Sequence, residues 1–206
     1  PPPPPKTPLI PNPTLFRYEI TSNGLRSDFG YIGDVGAFPP NLDALKSNPG
    51  GYTTWDGPYI QSGITEDTDG FKTDEWGTTY SYSGGITLNS TGSGSTISKE
   101  LADASSDYLF NTFNGTILDG ASNPPGATYI DSVEIQITIP NGSGGTTQKT
   151  YQSDLSGNFT LDSIPVGHHQ LEIIYTPNVD TLYTILTILP RHKTDRTFRF
   201  VESYFD

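Results

Sequence analysis

The chain has 206 residues and a mass of 22.4 kDa, enough for one large domain or two small ones at roughly 150 residues per domain. Hydrophobic residues make up 33% and charged residues 17%, the latter below the usual value of about 25%, so Ser, Thr, Asn, Gly and Pro fill the gap and favour strands and turns over exposed helix. A net charge of −12 repels phosphate backbones and excludes nucleic acid as an expected partner, and the absence of Cys excludes disulfides, thiolate metal sites and cysteine nucleophiles.

With no Met in the chain, Pro1 is expected to be a processed N-terminus or the start of a trimmed chain. The longest strongly apolar stretch, residues 183–189, suits a strand and falls well short of the roughly 18 residues that span a bilayer. A soluble protein with no membrane span is the expectation.

Residues 1–24 open with prolines at 1 to 5, 8, 11 and 13, which fix φ and remove backbone donors. An extended polyproline-like arm follows from that, leading into the β-prone run Leu15, Phe16, Arg17, Tyr18, Glu19, Ile20 and a turn at Asn23-Gly24. A stiff arm ending in a strand suits docking onto the sheet edge of a neighbour. Leu15, Phe16, Tyr18 and Ile20 are the candidate assembly residues.

Residues 25–108 read as a small α+β domain. Asn41 is placed to cap one short helical turn with Leu42 and Leu45 inward, and Asn48-Pro49-Gly50-Gly51 ends it. Thr54-Trp55-Asp56-Gly57-Pro58-Tyr59-Ile60 comes next, then Asp74-Glu75-Trp76-Gly77-Thr78-Thr79-Tyr80-Ser81-Tyr82, whose last four residues alternate as a strand does. Trp76 and Tyr80 are large anchors for a small sheet, with Gly77 allowing a tight turn between them. Lys99, Glu100, Leu101, Ala102 and Asp103 predict a short helix, and a boundary near Tyr108 follows.

Residues 109–206 carry about seven predicted short strands separated by turn signals, which reads as a β-sandwich. Val133, Ile135, Ile137 and Ile139 alternate with Glu134, Gln136 and Thr138 in a strand buried on one face and stopped by Pro140, before a hairpin loop at 141–145. Phe159 and Leu161 face the core, with Gly157 turning one hairpin and Pro165-Val166-Gly167 the next.

Two resemblances accompany these readings. The order Phe-Pro-Pro-Asn-Leu-Asp-Ala-Leu, Trp-Asp-Gly-Pro-Tyr-Ile and Asp-Glu-Trp-Gly-Thr-Thr-Tyr-Ser-Tyr, within about residues 25–97, resembles the globular part of type II secretion major pseudopilins and other prepilin-type proteins. That family's N-terminal hydrophobic helix has no counterpart in the proline arm, and its calcium loop has none in residues 83–94, which lack any carboxylate. Residues 112–176, with Asn-Gly-Thr-Ile-Leu-Asp, Ser-Asp-Leu-Ser-Gly-Asn-Phe-Thr-Leu and Ile-Pro-Val-Gly-His-His-Gln-Leu, resemble the carboxypeptidase-regulatory or transthyretin-like sandwich. That resemblance implies an accessory module for adhesion, spacing or assembly. The fold class expected is therefore mainly β: a pseudopilin-like α+β domain without its helix, a transthyretin/immunoglobulin-like β-sandwich and a proline-rich arm.

The residues offer no anchor for catalysis. His168 and His169 are neighbours on a strand and point to opposite faces, so they do not jointly bind one metal, and His192 stands apart. No Gly-x-Ser-x-Gly elbow and no phosphate-binding Gly-Lys-Ser/Thr loop occurs. No cofactor is expected; the one cation the sequence suggests is calcium at Asp67, Asp69 and Asp74, which lack the register of an EF-hand. Asn89, Asn114, Asn141 and Asn158 each begin a glycosylation sequon, a pattern that recurs by chance where Ser and Thr abound.

The expectation is a non-enzymatic structural subunit of an extracellular prokaryotic filament or tube, with copies of itself as partners, joined through the arm. The alternative is a monomeric secretion-system accessory or an adhesive or carbohydrate-binding module, and a third reading is a calcium-regulated binder.

Overall fold

The computed structural model describes residues 29–60, 69–191 and 193–206. The proline arm with Leu15, Phe16, Tyr18 and Ile20, and also Asp67 and His192, lie outside the described residues. The protein is mainly β, and contacts divide its described residues into two compact units: those up to 105 with 142–144, and those over 106–141 with 145–206.

The first unit begins with helix α1 (Gly30–Val35), which buries Tyr31, Ile32 and Val35. Gly36 ends it at φ 77°, a left-handed conformation that glycine adopts without strain, and returns its N–H to the Ile32 carbonyl at 2.8 Å. One 3-10 turn (Leu42–Leu45) follows, capped as its sequence predicts: Asn41 Oδ1 accepts the Ala44 N–H at 3.0 Å, and Leu42, Ala44 and Leu45 are buried. Asn48 then closes the loop by accepting the amides of Gly50 and Tyr52. Trp55 donates its indole N–H to the Ala44 carbonyl, and Tyr59 packs edge-on against both Trp55 and Tyr31.

A small antiparallel sheet completes this unit, formed by β1 (Ser81–Tyr82), β2 (Thr87–Ser90) and β3 (Ile97–Glu100) in that order. The short helix predicted over residues 99–103 is not formed. Residues 97–100 pair instead with β2, Lys99 opposite Leu88, because the sheet gives their amides cross-strand partners that an isolated single turn does not. The helical turn in this region lies later, at α2 (Ser106–Leu109). Tyr80 is buried and Gly77 turns at φ 77°, while Trp76 is only half-buried.

The second unit is a sandwich of two sheets. One has the order β10-β4-β7, from β10 (Thr194–Arg199), β4 (Asn111–Leu118) and β7 (Asn158–Ile164), with β10 parallel to β4. The other is antiparallel throughout, in the order β6-β5-β8-β9, from β6 (Thr146–Tyr151), β5 (Val133–Pro140), β8 (Gly167–Tyr175) and β9 (Asp180–Ile188). Strict alternation along β4, β5 and β8 sends Phe113, Ile117, Ile135, Ile137, Leu171 and Ile173 into one core with Phe159, Leu161 and Phe198. Each such side chain stabilises the fold by about 1.5–3 kcal/mol through removal from water.

Two expected hairpins are corrected. The chain does turn at Gly157 (φ 79°) and at Pro165-Val166, but each turn carries it between sheets, since β7 pairs with β4 whereas β6 and β8 both pair with β5. Buried Ile164 and Val166 and the bond from the Val166 N–H to the Tyr108 carbonyl hold the second crossing in place. The hairpin at 141–145 forms as its sequence indicates, with the Asn141 N–H bonded to the Gly145 carbonyl.

Candidate assembly surface

Four strands edge the sandwich, and three of them carry charge or are covered. Strand β10 contains Asp195, Arg196 and Arg199, and β7 contains Asp162. In β6, Lys149 Nζ donates to the carbonyls of Asp162 and Ser163, and the Tyr151 hydroxyl donates to the Asp162 carbonyl, so side chains bridge it to β7. Strand β9 differs. Beyond Asp180, which accepts the Tyr204 hydroxyl at 2.8 Å, it has no charged residue, continuing Thr-Leu-Tyr-Thr-Ile-Leu-Thr-Ile. Its inward-facing Thr184 accepts one bond from Arg196 of β10 at 3.4 Å, and among the described residues its backbone pairs on one side only, with β8.

The side chains of β9 follow from its register. Leu186 and Ile188 are buried, and Leu182 packs against the same core. The alternate residues Tyr183 and Ile185 stand on the outer face, 68% and 57% exposed. Val179, 79% exposed, precedes the strand at φ 54°, a conformation that strains a β-branched residue. An edge strand with no charge over eight residues, rich in β-branched residues, is a template for a further strand, which charges or bulges usually guard against.

Two carboxylates with altered acidity, Asp74 and Asp119, hold loops. Burial pushes the Asp74 carboxyl upward, but hydrogen bonds from the Ser90 hydroxyl and the amides of Thr78, Gly92 and Trp76 outweigh it and leave the group below the usual carboxylate range. Gly92 has no side chain because a Cβ there would lie 2.5 Å from Asp74 Oδ2. Asp119 is fully buried and is likewise held low by amides, including those of Phe205 and Asn123, which ties the C-terminal segment to the end of β4. Asp69 lies 3.3 Å from Lys72 Nζ and 3.7 Å from Lys46 Nζ, so Asp69 and Asp74, the described members of the acidic loop, face different partners.

The histidines behave as the strand alternation requires. His168 is exposed and contacts the Thr187 hydroxyl at 3.0 Å, whereas His169 is buried and donates Nε2–H to the Pro165 carbonyl at 2.7 Å. Burial lowers the His169 pKa to about 4, against the opposing pull of that carbonyl, so the ring is neutral at pH 7. Tyr59 donates to Asp34 Oδ2 at 2.5 Å, and its hydroxyl is pushed well above the normal tyrosine value by burial and by that carboxylate.

Two of the sequons acquire a structural reading. Asn114 and Thr116 on β4 lie opposite Thr160 and Asn158 on β7; Thr160 Oγ1 donates to Asn114 Oδ1 at 3.0 Å and Thr116 Oγ1 to Asn158 Oδ1 at 2.9 Å. Asn-x-Thr on an antiparallel strand places both residues on one face, and two such strands form reciprocal pairs.

No protein-family model matches the chain, and no curated protein matches it. Among solved structures, the major pilin subunit of Bacillus cereus is similar at a TM-score of 0.32 and 14% identity, over 55% of this chain and 36% of that one. A catechol 1,2-dioxygenase from Acinetobacter gives 0.30 and 12%, over 42% and 38%. A candidate carbohydrate-binding protein from Pseudomonas aeruginosa gives 0.28 and 10%, over 45% and 90%. This chain therefore spans well under half the length of the first two. At these levels none of them assigns an activity to this chain.

Sequence reasoning found Tyr183 and Ile185 within the longest apolar stretch but not their place on a sheet edge. The signal was the lack of charge over residues 181–189 in a chain of net charge −12. Edge position itself depends on which strands pair, and alternation does not carry that information.

Proposed function

We propose that the protein is a non-enzymatic structural subunit of an extracellular assembly, joining copies of itself by addition of a strand at β9. The observation that carries this reading is the edge, free of charge from Thr181 to Ile188 and paired on one side, with Tyr183 and Ile185 exposed. Subunits this acidic repel one another, so contact through an uncharged strand is the arrangement that costs least. In the finer form of the proposal, the donated strand is the arm of a neighbour carrying Leu15, Phe16, Tyr18 and Ile20, of which Phe16, Tyr18 and Ile20 share one face and Leu15 lies on the other.

Sedimentation and electron microscopy of the full chain test the proposal. The wild type should form polymers that strengthen with added salt. Ile185→Lys, on the outer face where the fold tolerates it, should raise the concentration needed for assembly by about tenfold or more. A wild type that stays monomeric at high concentration overturns the reading. Deleting residues 1–20 isolates the arm: polymers that survive the deletion but vanish with Ile185→Lys exclude the arm as donor and retain the edge.

A further inference from the structure

The outer face of the β10-β4-β7 sheet carries a shallow cleft of about 340 Å³ that the assembly reading does not use. The strand registers set its polar side chains in two rows, Asp195, Asn114 and Thr160 in one and Thr116 and Asn158 in the next, with Gly115 and Phe159 completing the lining. Neighbouring strands stand about 4.8 Å apart and alternate residues about 6.7 Å apart, so polar groups recur over this surface at nearly regular intervals. Asn114 and Thr116 sit on the central strand and are half-buried, which holds them in place.

The hydrogen bonds already made decide what the cleft can offer a ligand. Each Thr hydroxyl has one proton, and those of Thr160 and Thr116 are donated to the Asn114 and Asn158 oxygens. Both Thr oxygens therefore present acceptors, as does the exposed Asp195 carboxylate. The Asn114 amide nitrogen supplies two donors between them, whereas Asn158 Nδ2 is turned to Asp154 Oδ2 at 3.2 Å.

A ligand matching this array must both donate and accept at close spacing. No Lys or Arg lines the cleft, and Asp195 with the overall charge disfavours anions. Apolar ligands would leave these groups unpaired. The volume lies at the small end of the range for ligand sites.

We infer that this cleft binds a neutral carbohydrate, with the Asp195 carboxylate and the Asn114 amide holding adjacent hydroxyls of one sugar ring. The inference is independent of the β9 edge, and the two fail separately.

Isothermal titration of the full chain with maltotetraose, cellotetraose, mannotetraose and chitotetraose, and with a sulfated heparin tetrasaccharide, tests it. At least one neutral tetrasaccharide should bind and the sulfated one should not. Asp195→Ala should weaken binding by about tenfold or more with an unchanged melting temperature, because a hydrogen bond to a charged acceptor is lost from an exposed site. Thr160→Val should also weaken it, by freeing the Asn114 oxygen and changing the amide's orientation. Ile185→Lys should bind as the wild type does. The inference is overturned if no neutral tetrasaccharide binds at millimolar concentration, if the sulfated sugar binds equally, or if Asp195→Ala leaves affinity unchanged.

Discussion

In the second unit, seven strands bury alternate Ile, Leu, Val and Phe between two sheets, whereas the described elements of the first unit run from two to six residues and its side chains hold much of the described backbone. Asn41, Asn48, Trp55 and Asp74 each bond main-chain groups in the first unit, around a core in which Tyr31 and Tyr59 meet edge-on. The sandwich thus draws on apolar area, which is non-directional, and the first unit on particular hydrogen bonds, which one substitution can remove. The two should therefore respond to different damage.

The largest effect is expected at the centre of the sandwich. Ile173 is fully buried on β8, a strand paired on both sides, between β5 and β9. Ile173→Ala should cost about 4 kcal/mol through lost transfer energy and the cavity left behind. Chemical denaturation measures that loss, and hydrogen exchange should show β5 and β8 amides losing protection first. A cost below about 1 kcal/mol would mean that the core relaxes around the gap and that the apolar-area account is wrong.

A pH effect of somewhat smaller size is expected from His169. Its pKa falls from the ordinary value near 6.5 to about 4 on burial, so between those values the unfolded chain takes up a proton that the folded chain refuses. Stability is fully present above about pH 6.5 and falls as the pH drops towards 4, by up to about 3 kcal/mol. Asp119 and Asp154 add a separate loss at lower pH. Asp154 is held low first by the Asn158 amide; at Asp119 burial opposes, and the amides of Phe205 and Asn123 prevail. Both contribute above the normal carboxylate value near 3.9 and lose that contribution as the pH falls through their depressed values. Denaturation curves at intervals from pH 7 to 4 measure the histidine step, and His169→Gln should flatten it. A step that persists in that variant must come from another group.

The contrast also explains what the sequence made legible. Strand β5 could be read residue by residue because burial of one face imposes a period of two on the text, and the structure shows the same period in β4 and β8. The Asn41 cap was legible because the cap is local in sequence. Sheet membership was not, which is why Gly157 and Pro165-Val166 read as hairpin turns when they join different sheets. The Lys-Glu-Leu-Ala-Asp run read as helix from propensity alone, and pairing with β2 decided otherwise for its first residues. Asp74 read as a member of an acidic loop, yet its partners Ser90 and Gly92 lie more than fifteen residues away, beyond any local pattern. For the candidate site, the composition of β9 was visible and its edge position was not.

The smallest effect sharpens the comparison from the other side. Asn41 accepts one amide, that of Ala44, at the start of a single 3-10 turn, so Asn41→Ala removes one cap and should cost about 1 kcal/mol. The loss should be local, with faster exchange at Ala44 and neighbouring amides of the turn and no change at β5 or β8. Leu42 and Leu45 flank that amide and are buried, so loosening the turn exposes part of the first unit's core as well. If β5 and β8 lose protection to the same extent, the units do not rest on separate sources of stability. If only the turn responds, a unit built from directed side-chain bonds fails one loop at a time, whereas a core shared by two sheets fails together.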